Sequence, residues 1–367
     1  MSGPVNRTMN IASPDAKVAQ GNDLLWLVAP GTGLHVHAMD YLGHWKDLGD
    51  GNQAPPIGAV DCVYMLSRMW FLAMDRLYWS KLLPTIDDML PVPKAFDRDN
   101  IGSTGGGSIN MSPDRGAFPT AIVPWRDESL IVFYKNHIEE VIVSPVDPID
   151  STRRTLEGRI GCIARESIVQ IGDEVYFLDQ FGNYRSLRRN QQGAAEGVVP
   201  EPLSEPFRGE IPQNLNIQMA HKTQAALLEE FMYVFYPAKG SSDPNRAMVV
   251  DLGGQRIYGP WEFARPFSRI SVSDIEGRAY RMYALDGSTD DPAAKVYRMF
   301  DGTYSDNGSA ITYRETGRAW DMGFSYANKL AKWYDMEFSG GYETCRPTLS
   351  LRTGENQEWV DIRTKDL

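Results

Sequence analysis

The sequence lacks any segment that is long and apolar enough to cross a bilayer. The longest apolar runs, such as residues 231–238, fall far below the length that a spanning helix needs. Residues 1–20 also contain no apolar core of the kind that marks a secretory signal peptide. We therefore expect a protein that is made in the cytoplasm and does not insert into a membrane.

Cysteine is scarce as well. Cys62, Cys162 and Cys345 lie far apart in the chain and form no Cys-x-x-Cys pair. This spacing indicates neither a disulfide framework nor a zinc site, because both are marked by cysteines in regular, closely spaced sets. We expect the thiols to be buried and reduced.

The sequence also lacks a block of basic residues. Acidic residues outnumber basic ones by 48 to 37, for a formal net charge of −11, and Arg153-Arg154 and Arg188-Arg189 are isolated pairs. Sequence-independent DNA binding derives its affinity from cations that neutralise phosphates and release counterions. We therefore expect the chain to bind duplex DNA only weakly.

Helical periodicity is rare, whereas turn-forming and aromatic residues are common. The chain contains 33 glycines, 23 prolines, 17 tyrosines, 14 phenylalanines and 9 tryptophans, a composition typical of turn-rich β proteins. Residues 222–230 could form two helical turns, and residues 69–74 are apolar all round. Neither segment reaches the length at which periodicity indicates a helix.

The main pattern is a series of antiparallel strand meanders. Residues 168–187 show it best, because β-branched and aromatic runs alternate with turns at Gly172-Asp173 and at residues 181–183. Six such meanders follow one another at residues 24–48, 60–84, 118–146, 159–190, 219–263 and 268–307. Units of 30–50 residues are the period of propeller blades. The sequence predicts an all-β protein, a β-propeller of about six blades, with a pair of β-sandwiches as the competing architecture.

This organisation divides the chain into three parts. Residues 1–20 are predicted to form an N-terminal arm, residues 21–309 the propeller blades, and residues 310–367 additional strands that close or extend the propeller. Residues 91–119, with a glycine-rich run at 102–108, are expected to form a long exposed loop. Trp45, Trp125 and Trp261 lie at predicted strand ends, where we expect them to pack between neighbouring blades.

Several short motifs suggest chemistry, but each also has a simpler interpretation. His35 and His37, with His44 nearby, could place two imidazoles on one strand face, but a solvated edge strand is the preferred interpretation because no matching third ligand set is recognisable. The run 102–108 lacks the Lys-Ser/Thr of a phosphate loop. Residues 112–116 match only part of an Asp-box. The acidic segments 286–291 and 301–302 lack the spacing of a calcium loop and are expected to form turns.

No constellation of catalytic residues is recognisable in the sequence. It contains no Gly-x-Ser-x-Gly elbow and no cysteine with a nearby histidine. A glycosidase propeller draws its two carboxylates from distant blades, so a carboxylate pair cannot be located from local sequence. We expect a protein that is not an enzyme, with no catalytic residue, no metal site and no cofactor.

Several segments resemble a family of bacteriophage virion propellers. In the segment 117–148, a strand is followed by a Ser-x-x-Asp-Pro corner, which is residues 144–148 here. The segment 233–261 ends on Gly259-Pro260-Trp261. It resembles a blade of the family in which a strand, a proline, a variable loop, a second strand and a tryptophan follow one another. The resemblance covers residues 117–350. The segments that carry it are residues 117–148, 158–162, 177–187, 202–206, 233–261, 315–323 and 329–338.

The family includes the tail hub, or nozzle, of short-tailed double-stranded-DNA phages. The resemblance implies a virion structural protein of the phage tail that is made in the host cytoplasm. It also implies that several copies, six in the family, form a homo-oligomeric ring, a hexamer. Such a ring lies below the head–tail adaptor, prolongs the DNA ejection channel and holds tail fibres or the needle. DNA passes through it without specific binding, and acidic walls suit such a conduit. The alternative is a carbohydrate-active β-propeller, either a glycosidase or a receptor-binding tail protein.

Overall fold

A computed structural model gives the architecture of the protein. The residues that it describes are 16–30, 35–40, 45–48, 58–83, 105–111, 118–125, 128–189, 195–198, 202–204, 210–253, 256–263, 265–273, 280–287, 295–300, 305–306, 309–310, 348–351 and 360–364. The chain divides into two compact units, residues 1–311 and residues 312–367.

The first unit is a six-bladed β-propeller, which confirms the predicted fold. Each blade is one antiparallel meander of strands that are consecutive in the chain. Blade 1 consists of β1 (Lys17–Gly21), β2 (Leu24–Val28), β3 (His37–Met39) and β4 (Trp45–Asp47). Blade 2 consists of β5 (Asp61–Met65), β6 (Arg68–Leu72), β7 (Arg76–Trp79) and β8 (Gly107–Asn110). Blade 3 consists of β9 (Pro119–Trp125), β10 (Ser129–Tyr134), β11 (Ile138–Ile142) and β12 (Thr152–Glu157).

The remaining blades repeat this plan. Blade 4 consists of β13 (Val169–Ile171), β14 (Glu174–Leu178), β15 (Tyr184–Arg189) and β16 (Ala195–Val198). Blade 5 consists of β17 (Gln224–Leu228), β18 (Phe231–Tyr236), β19 (Arg246–Asp251) and β20 (Arg256–Glu262). Blade 6 has three strands among the described residues, β21 (Phe267–Ser273), β22 (Arg281–Asp286) and β23 (Val296–Met299).

Short elements connect or follow the blades. The described helical segments are three 3₁₀ turns, Pro148–Asp150, Arg165–Ser167 and Ile217–Lys222, and the α-helix α1 (Glu210–Asn214). A small hairpin of β24 (Ser305–Asp306) and β25 (Ser309–Ala310) follows blade 6. In the second unit, β26 (Thr348–Leu351) pairs antiparallel with β27 (Val360–Thr364). That residues 310–367 close or extend the propeller stays a prediction.

Hydrophobic cores lie between neighbouring blades, and the second strand of each of blades 2 to 5 contributes to two of them. On β10, Leu130 and Val132 pack against blade 2, whereas Ile131 and Phe133 pack against blade 4. The same alternation recurs on β6, β14 and β18. A strand that is buried on both faces reads as a continuous apolar run instead of an alternating one.

Three segments show how tertiary contacts decide what the local sequence does not. Residues 69–74, apolar all round, lie mostly in β6, whose side chains are all buried. Residues 222–230 do not form a helix but contain β17, because tertiary pairing with β18 outweighs the local preference of alanine, leucine and glutamate. Residues 17–20, predicted as part of the arm, belong to β1 because they pair with β2. Residues 1–15 lie outside the described residues.

The predicted loop 91–119 also contains structure. Residues 107–110 form β8, which pairs with β7 and supplies the outer strand of blade 2. A glycine is required at Gly107, because a Cβ atom there would lie 2.5 Å from the Trp79 ring. The glycine-rich run therefore ends in a strand that packs closely on a tryptophan, which sequence composition alone does not reveal.

The tryptophans at strand ends differ in burial. Trp125 is fully buried between blades 3 and 4, and its Nε1 donates a hydrogen bond to the carbonyl of Asp173 at 3.2 Å. Trp261 is 36% exposed and is therefore less buried than predicted. Its ring contacts Tyr233 of blade 5 and Phe300 at the end of β23 in blade 6, so it does pack between two blades. The Trp45 side chain lies outside the part of the chain whose side chains are described, so its packing between blades stays a prediction.

We predict that Trp125→Ala lowers the free energy of unfolding by about 3–5 kcal/mol, because it leaves a cavity between two blades. Trp261→Ala should cost clearly less, since solvent already reaches its ring. Chemical denaturation of both variants checks the order. Equal losses would show that the exposed ring contributes as much packing as the buried one.

Gly161 allows blade 4 to approach blade 3 closely. A Cβ atom at this position would lie 2.1 Å from the carbonyl oxygen of Tyr134. We predict that Gly161→Ala costs about 1–3 kcal/mol, because backbone atoms must shift. Gly253→Ala is the matched control, since its Cβ would meet only side-chain atoms of Glu230 and Asp251 and no backbone atom among its three nearest neighbours. Denaturation curves that coincide for the two variants would contradict the close approach.

Candidate functional site

The histidines considered for metal binding make backbone contacts where the structure describes them. The Nδ1 atom of His37 lies 3.0 Å from the carbonyl oxygen of His35, and His44 lies outside the described residues. Within the described part of the chain, no three His, Cys, Asp or Glu side chains come together in a way that could hold a metal ion. Cys62 and Cys162 are buried and reduced, as expected, and burial raises the pKa of both thiols.

The acidic turn after β22 is partly described. The Oδ2 atom of Asp286 accepts hydrogen bonds from Arg265, at 3.2 Å, and from the Tyr297 hydroxyl, at 3.3 Å. This carboxylate therefore helps to fix blade 6. Residues 112–116, 288–291 and 301–302 lie outside the described residues, as do residues 102–104 of the glycine-rich run.

The two arginine pairs each contain one residue that is paired with an acid of its own blade. Arg154 on β12 contacts Glu140 on β11 at 2.5 Å, and Arg188 on β15 contacts Glu174 on β14 at 2.8 Å. These are cross-strand ion pairs on neighbouring strands. Part of the positive charge that phosphates would require is therefore neutralised within the blades.

The most distinctive polar group of the propeller is a cluster of five charged side chains, which we call the central charge cluster. Its members come from the inner strands of blades 1, 2 and 6 and from the 3₁₀ turn that precedes blade 4. The first strands of several neighbouring blades lie against one another around this centre. The cluster consists of Lys17, Asp61, Arg165, Glu166 and Arg269.

Glu166 is the residue on which the cluster converges. Its Oε1 atom forms ion pairs with Lys17 of β1 and, at 3.1 Å, with Arg269 of β21. Lys17 is 149 residues away from Glu166 in the chain. One carboxylate thus links the first and the last described blades of the propeller to the segment between blades 3 and 4.

Asp61 is the second anion, and it is only 1% exposed. Its Oδ1 atom accepts the N–H of Cys62, and its Oδ2 atom accepts both the N–H of Ile122 and the Nε–H of Arg165, at 2.9 and 2.5 Å. Every described partner is a donor, so this geometry holds the carboxylate form. Asp61 therefore joins blades 2 and 3 to the turn that precedes blade 4.

The electrostatics of the two anions differ. For Glu166, burial alone would raise the pKa, but Lys17, Arg165 and Arg269 outweigh it and lower the pKa to about 2. Burial raises the pKa of Asp61, against the opposing effects of Arg165, the Ile122 N–H and Lys17. The two carboxylates raise the pKa of Arg165 despite its own desolvation. Glu166 is therefore ionised at neutral pH, the donors around Asp61 favour its carboxylate form, and ion pairing holds the cluster together.

This cluster carries no sequence signal of its own. Most of its members lie far apart in the chain, and the local sequence around each one is that of an ordinary surface charge at a strand end. The only local hint is that Asp61, Arg165 and Glu166 interrupt apolar segments, as in the run Ala-Val-Asp-Cys-Val-Tyr. Sequence analysis identified none of the five, because the pairing arises only from radial stacking of the blades.

The fold and its centre define a class of protein, a six-bladed β-propeller whose axis is crossed by ion pairs. No protein-family model matches the sequence, and no curated protein matches it. Within the described residues, no helix is sufficiently long and apolar for a membrane span.

Solved structures similar to the chain include propellers from several sources. The Pan2 WD40 domain of Neurospora crassa has a TM-score of 0.47 and 9% identity, covering 83% of this chain and 80% of that one. Luciferin-regenerating enzyme has the same TM-score and identity, covering 78% and 91%. The Cps50 (Swd1) β-propeller domain of Myceliophteria thermophila has a TM-score of 0.42 and 11% identity, covering 74% and 79%. Similarity at this level assigns no function.

We predict that Glu166→Gln destabilises the protein at pH 7 by on the order of 1–3 kcal/mol, between the values typical of exposed and buried pairs. The pKa of Glu166 is lowered in the folded protein, to about 2 from an ordinary 4.5. Its contribution is therefore complete above pH 4.5 and is lost as the pH falls toward 2. The stability difference between wild type and variant should narrow over that window.

Urea denaturation at several pH values measures this difference. Glu262→Gln is the control, because that side chain is 67% exposed, and we expect it to change stability by less than about 0.5 kcal/mol. A Glu166→Gln penalty that stays constant from pH 7 to pH 3 would contradict the ionic origin of the contribution.

Proposed function

We propose that the protein is a structural component of a bacteriophage tail. In this proposal it is a subunit of the hub, or nozzle, of a short-tailed phage, and several copies, six by the family resemblance, form a ring below the head–tail adaptor. The ring prolongs the DNA ejection channel and anchors fibres or the needle. The observation that carries the proposal is the ion-paired centre of the propeller, together with the resemblance of residues 117–350 to virion propellers.

The ion-paired centre favours a rigid building block over a binding or catalytic funnel. Lys17 and Arg269 reach Glu166 from two different blades, so charged side chains cross the region where many propellers bind ligands. If the protein forms a conduit, DNA has to pass between copies of the propeller, not through the axis of one copy. This agrees with a ring of subunits.

The net charge agrees with passage of DNA without tight contact. The formal charge is −11, and Arg154 and Arg188 are paired with Glu140 and Glu174. A cation that is held by a neighbouring carboxylate releases no counterion from phosphate unless that ion pair breaks. Weak contact suits a conduit, because each tight phosphate contact would resist movement of the duplex.

The alternative of a glycosidase propeller has one observation in its favour. The pKa of Asp61 is raised and that of Glu166 is lowered, and a pair of carboxyls with opposite shifts is the arrangement that an acid and a nucleophile require. A catalytic acid must also reach the leaving-group oxygen of the substrate. Asp61 is 1% exposed, and its oxygens already accept from three N–H donors. This supports the structural role.

We predict that the protein binds duplex DNA no more tightly than the weak end of non-specific binding, a Kd of about 0.1 mM at physiological salt. Titration of a labelled duplex at 50 and 200 mM salt measures it. Glu140→Gln combined with Glu174→Gln should bind more tightly at low salt, because it releases Arg154 and Arg188 from their partners. Micromolar affinity of the wild type with a steep salt slope would contradict the passive conduit.

Negative-stain imaging of virions tests the location. A label on the C-terminus should appear as a ring of densities below the head–tail adaptor, and the same label should be absent from particles that lack the protein. A label that appears on the capsid or on the fibre tips, or that is missing from virions, would reject the tail-ring proposal.

A further inference from the structure

Two exposed apolar surfaces lie on different blades, both at the periphery of the propeller. The first, which we call the loop surface, lies in the corner that leads from β11 into β12, the outer strand of blade 3. Val146 is 73% exposed and Ile149 is 56% exposed, and Asp150 beside them is exposed as well. Large aliphatic side chains that are grouped and this exposed commonly mark a contact with another protein.

The loop surface is held rigid by its own hydrogen bonds. The Ser144 hydroxyl accepts the N–H of Asp147, the Asp147 carboxylate accepts the N–H of Ile149, and the Ser151 hydroxyl donates to the carbonyl of Pro148. The 3₁₀ turn Pro148–Asp150 is capped in this way. A preordered loop loses little conformational entropy when a partner binds, so its apolar side chains are presented at low cost.

The second surface, which we call the aromatic surface, lies where the outer strand of blade 5 meets the end of β23. Tyr233, Trp261 and Phe300 contact one another, with ring centroids 5.0–6.0 Å apart. Trp261 and Phe300 are 36% and 41% exposed. Tyr258 lies on the same side of the blade, because its cross-strand partner Val249 belongs to the core between blades 5 and 6. Tryptophan and tyrosine are enriched at interface hot spots.

Two backbone irregularities position these rings. Gly259 has a φ of +123°, and a Cβ atom there would lie 2.9 Å from the carbonyl oxygen of Ala247, so only glycine fits. The pairing of β19 with β20 shifts register at this point, two residues before Trp261. Phe300 has a φ of +55°, which is unfavourable for a bulky residue. Strain of this kind persists only where the surrounding contacts hold the residue in place.

The two surfaces carry opposite charges beside their apolar side chains. Asp150 stands next to Ile149 in the loop surface. Arg256 lies two residues from Tyr258 on the exposed strand β20, on the same side of the sheet. Within the described ranges, neither Asp150 nor Arg256 has an ion-pair partner. Asp251 lies opposite Arg256 in the β19–β20 pairing, and the complementarity is therefore between Asp150 beside aliphatic side chains and Arg256 beside aromatic rings.

We propose that the loop surface of one copy docks on the aromatic surface of the next copy. Val146 and Ile149 then pack on Trp261 and Phe300, and Asp150 pairs with Arg256 of the neighbour. Because the two surfaces lie on different blades, the contact is heterologous and runs head to tail, and such contacts generate a ring when the rotation between copies closes. This inference rests on the proposed ring and supplies its subunit contact.

A charge-swap experiment on the full chain tests the contact. Self-association of the wild type is measured by analytical ultracentrifugation over a range of concentrations. Asp150→Arg and Arg256→Asp should each weaken association by about tenfold or more, because each places like charges together. The double variant, Asp150→Arg with Arg256→Asp, should restore association to within about threefold of the wild type. Val146→Ser should weaken association without changing its salt dependence.

The controls are charge changes at exposed positions outside both surfaces. The two control variants are Asp75→Arg and Arg159→Asp. Asp75 lies in the turn between β6 and β7, and Arg159 lies in the connection from blade 3 to blade 4. Both should associate like the wild type, and circular dichroism should confirm that all variants fold.

The outcomes separate this inference from the proposed function. If the wild type forms an oligomer but the single variants associate normally, the ring stands and this contact is wrong. If the single variants weaken association and the double variant does not recover, Asp150 and Arg256 do not meet, and the proposed docking is rejected. If the wild type stays monomeric at every concentration, the ring and its subunit contact are both rejected.

Discussion

The whole fold depends on burial of the central strands from both sides. A strand such as β10 sends Leu130 and Val132 into one core and Ile131 and Phe133 into the next. A single four-stranded sheet cannot exclude water from both of its faces, so each blade is stable only when it is packed between neighbours. This constraint orders the other features, because it fixes which strands are apolar throughout, where glycine must permit close approach, and which residues meet at the centre.

Ion pairing at the axis complements this packing. Inner strands converge where little room remains for large apolar side chains, and the structure places Lys17, Asp61, Arg165, Glu166 and Arg269 there. Buried charges cost desolvation free energy unless each has its partners. Here each carboxylate contacts donors from at least two segments, so the cluster ties together blades that share no strand pairing. A centre of this kind suits a component that bears load in an assembly.

The fold was largely predictable from local sequence, whereas the candidate site was not. Turn residues such as Gly172-Asp173 recur at intervals set by strand length, and this spacing located all six meanders. Tertiary contact decided segments that local preference left open, as in residues 222–230, where helix-forming residues lie in β17. Gly107 was misread as part of a loop, because its need for close packing on Trp79 is visible only in three dimensions.

The sequence by itself determined the all-β class, the number of blades and the acidic charge, because alternation, turn chemistry and net charge are local or additive properties of the chain. Tertiary structure alone decided which charges meet. Glu166 and Lys17 are 149 positions apart, and only the closing of the blades around an axis brings them into contact. It also decided that Trp125 is buried while Trp261 stays partly exposed, since the burial of a side chain depends on the blade that packs against it.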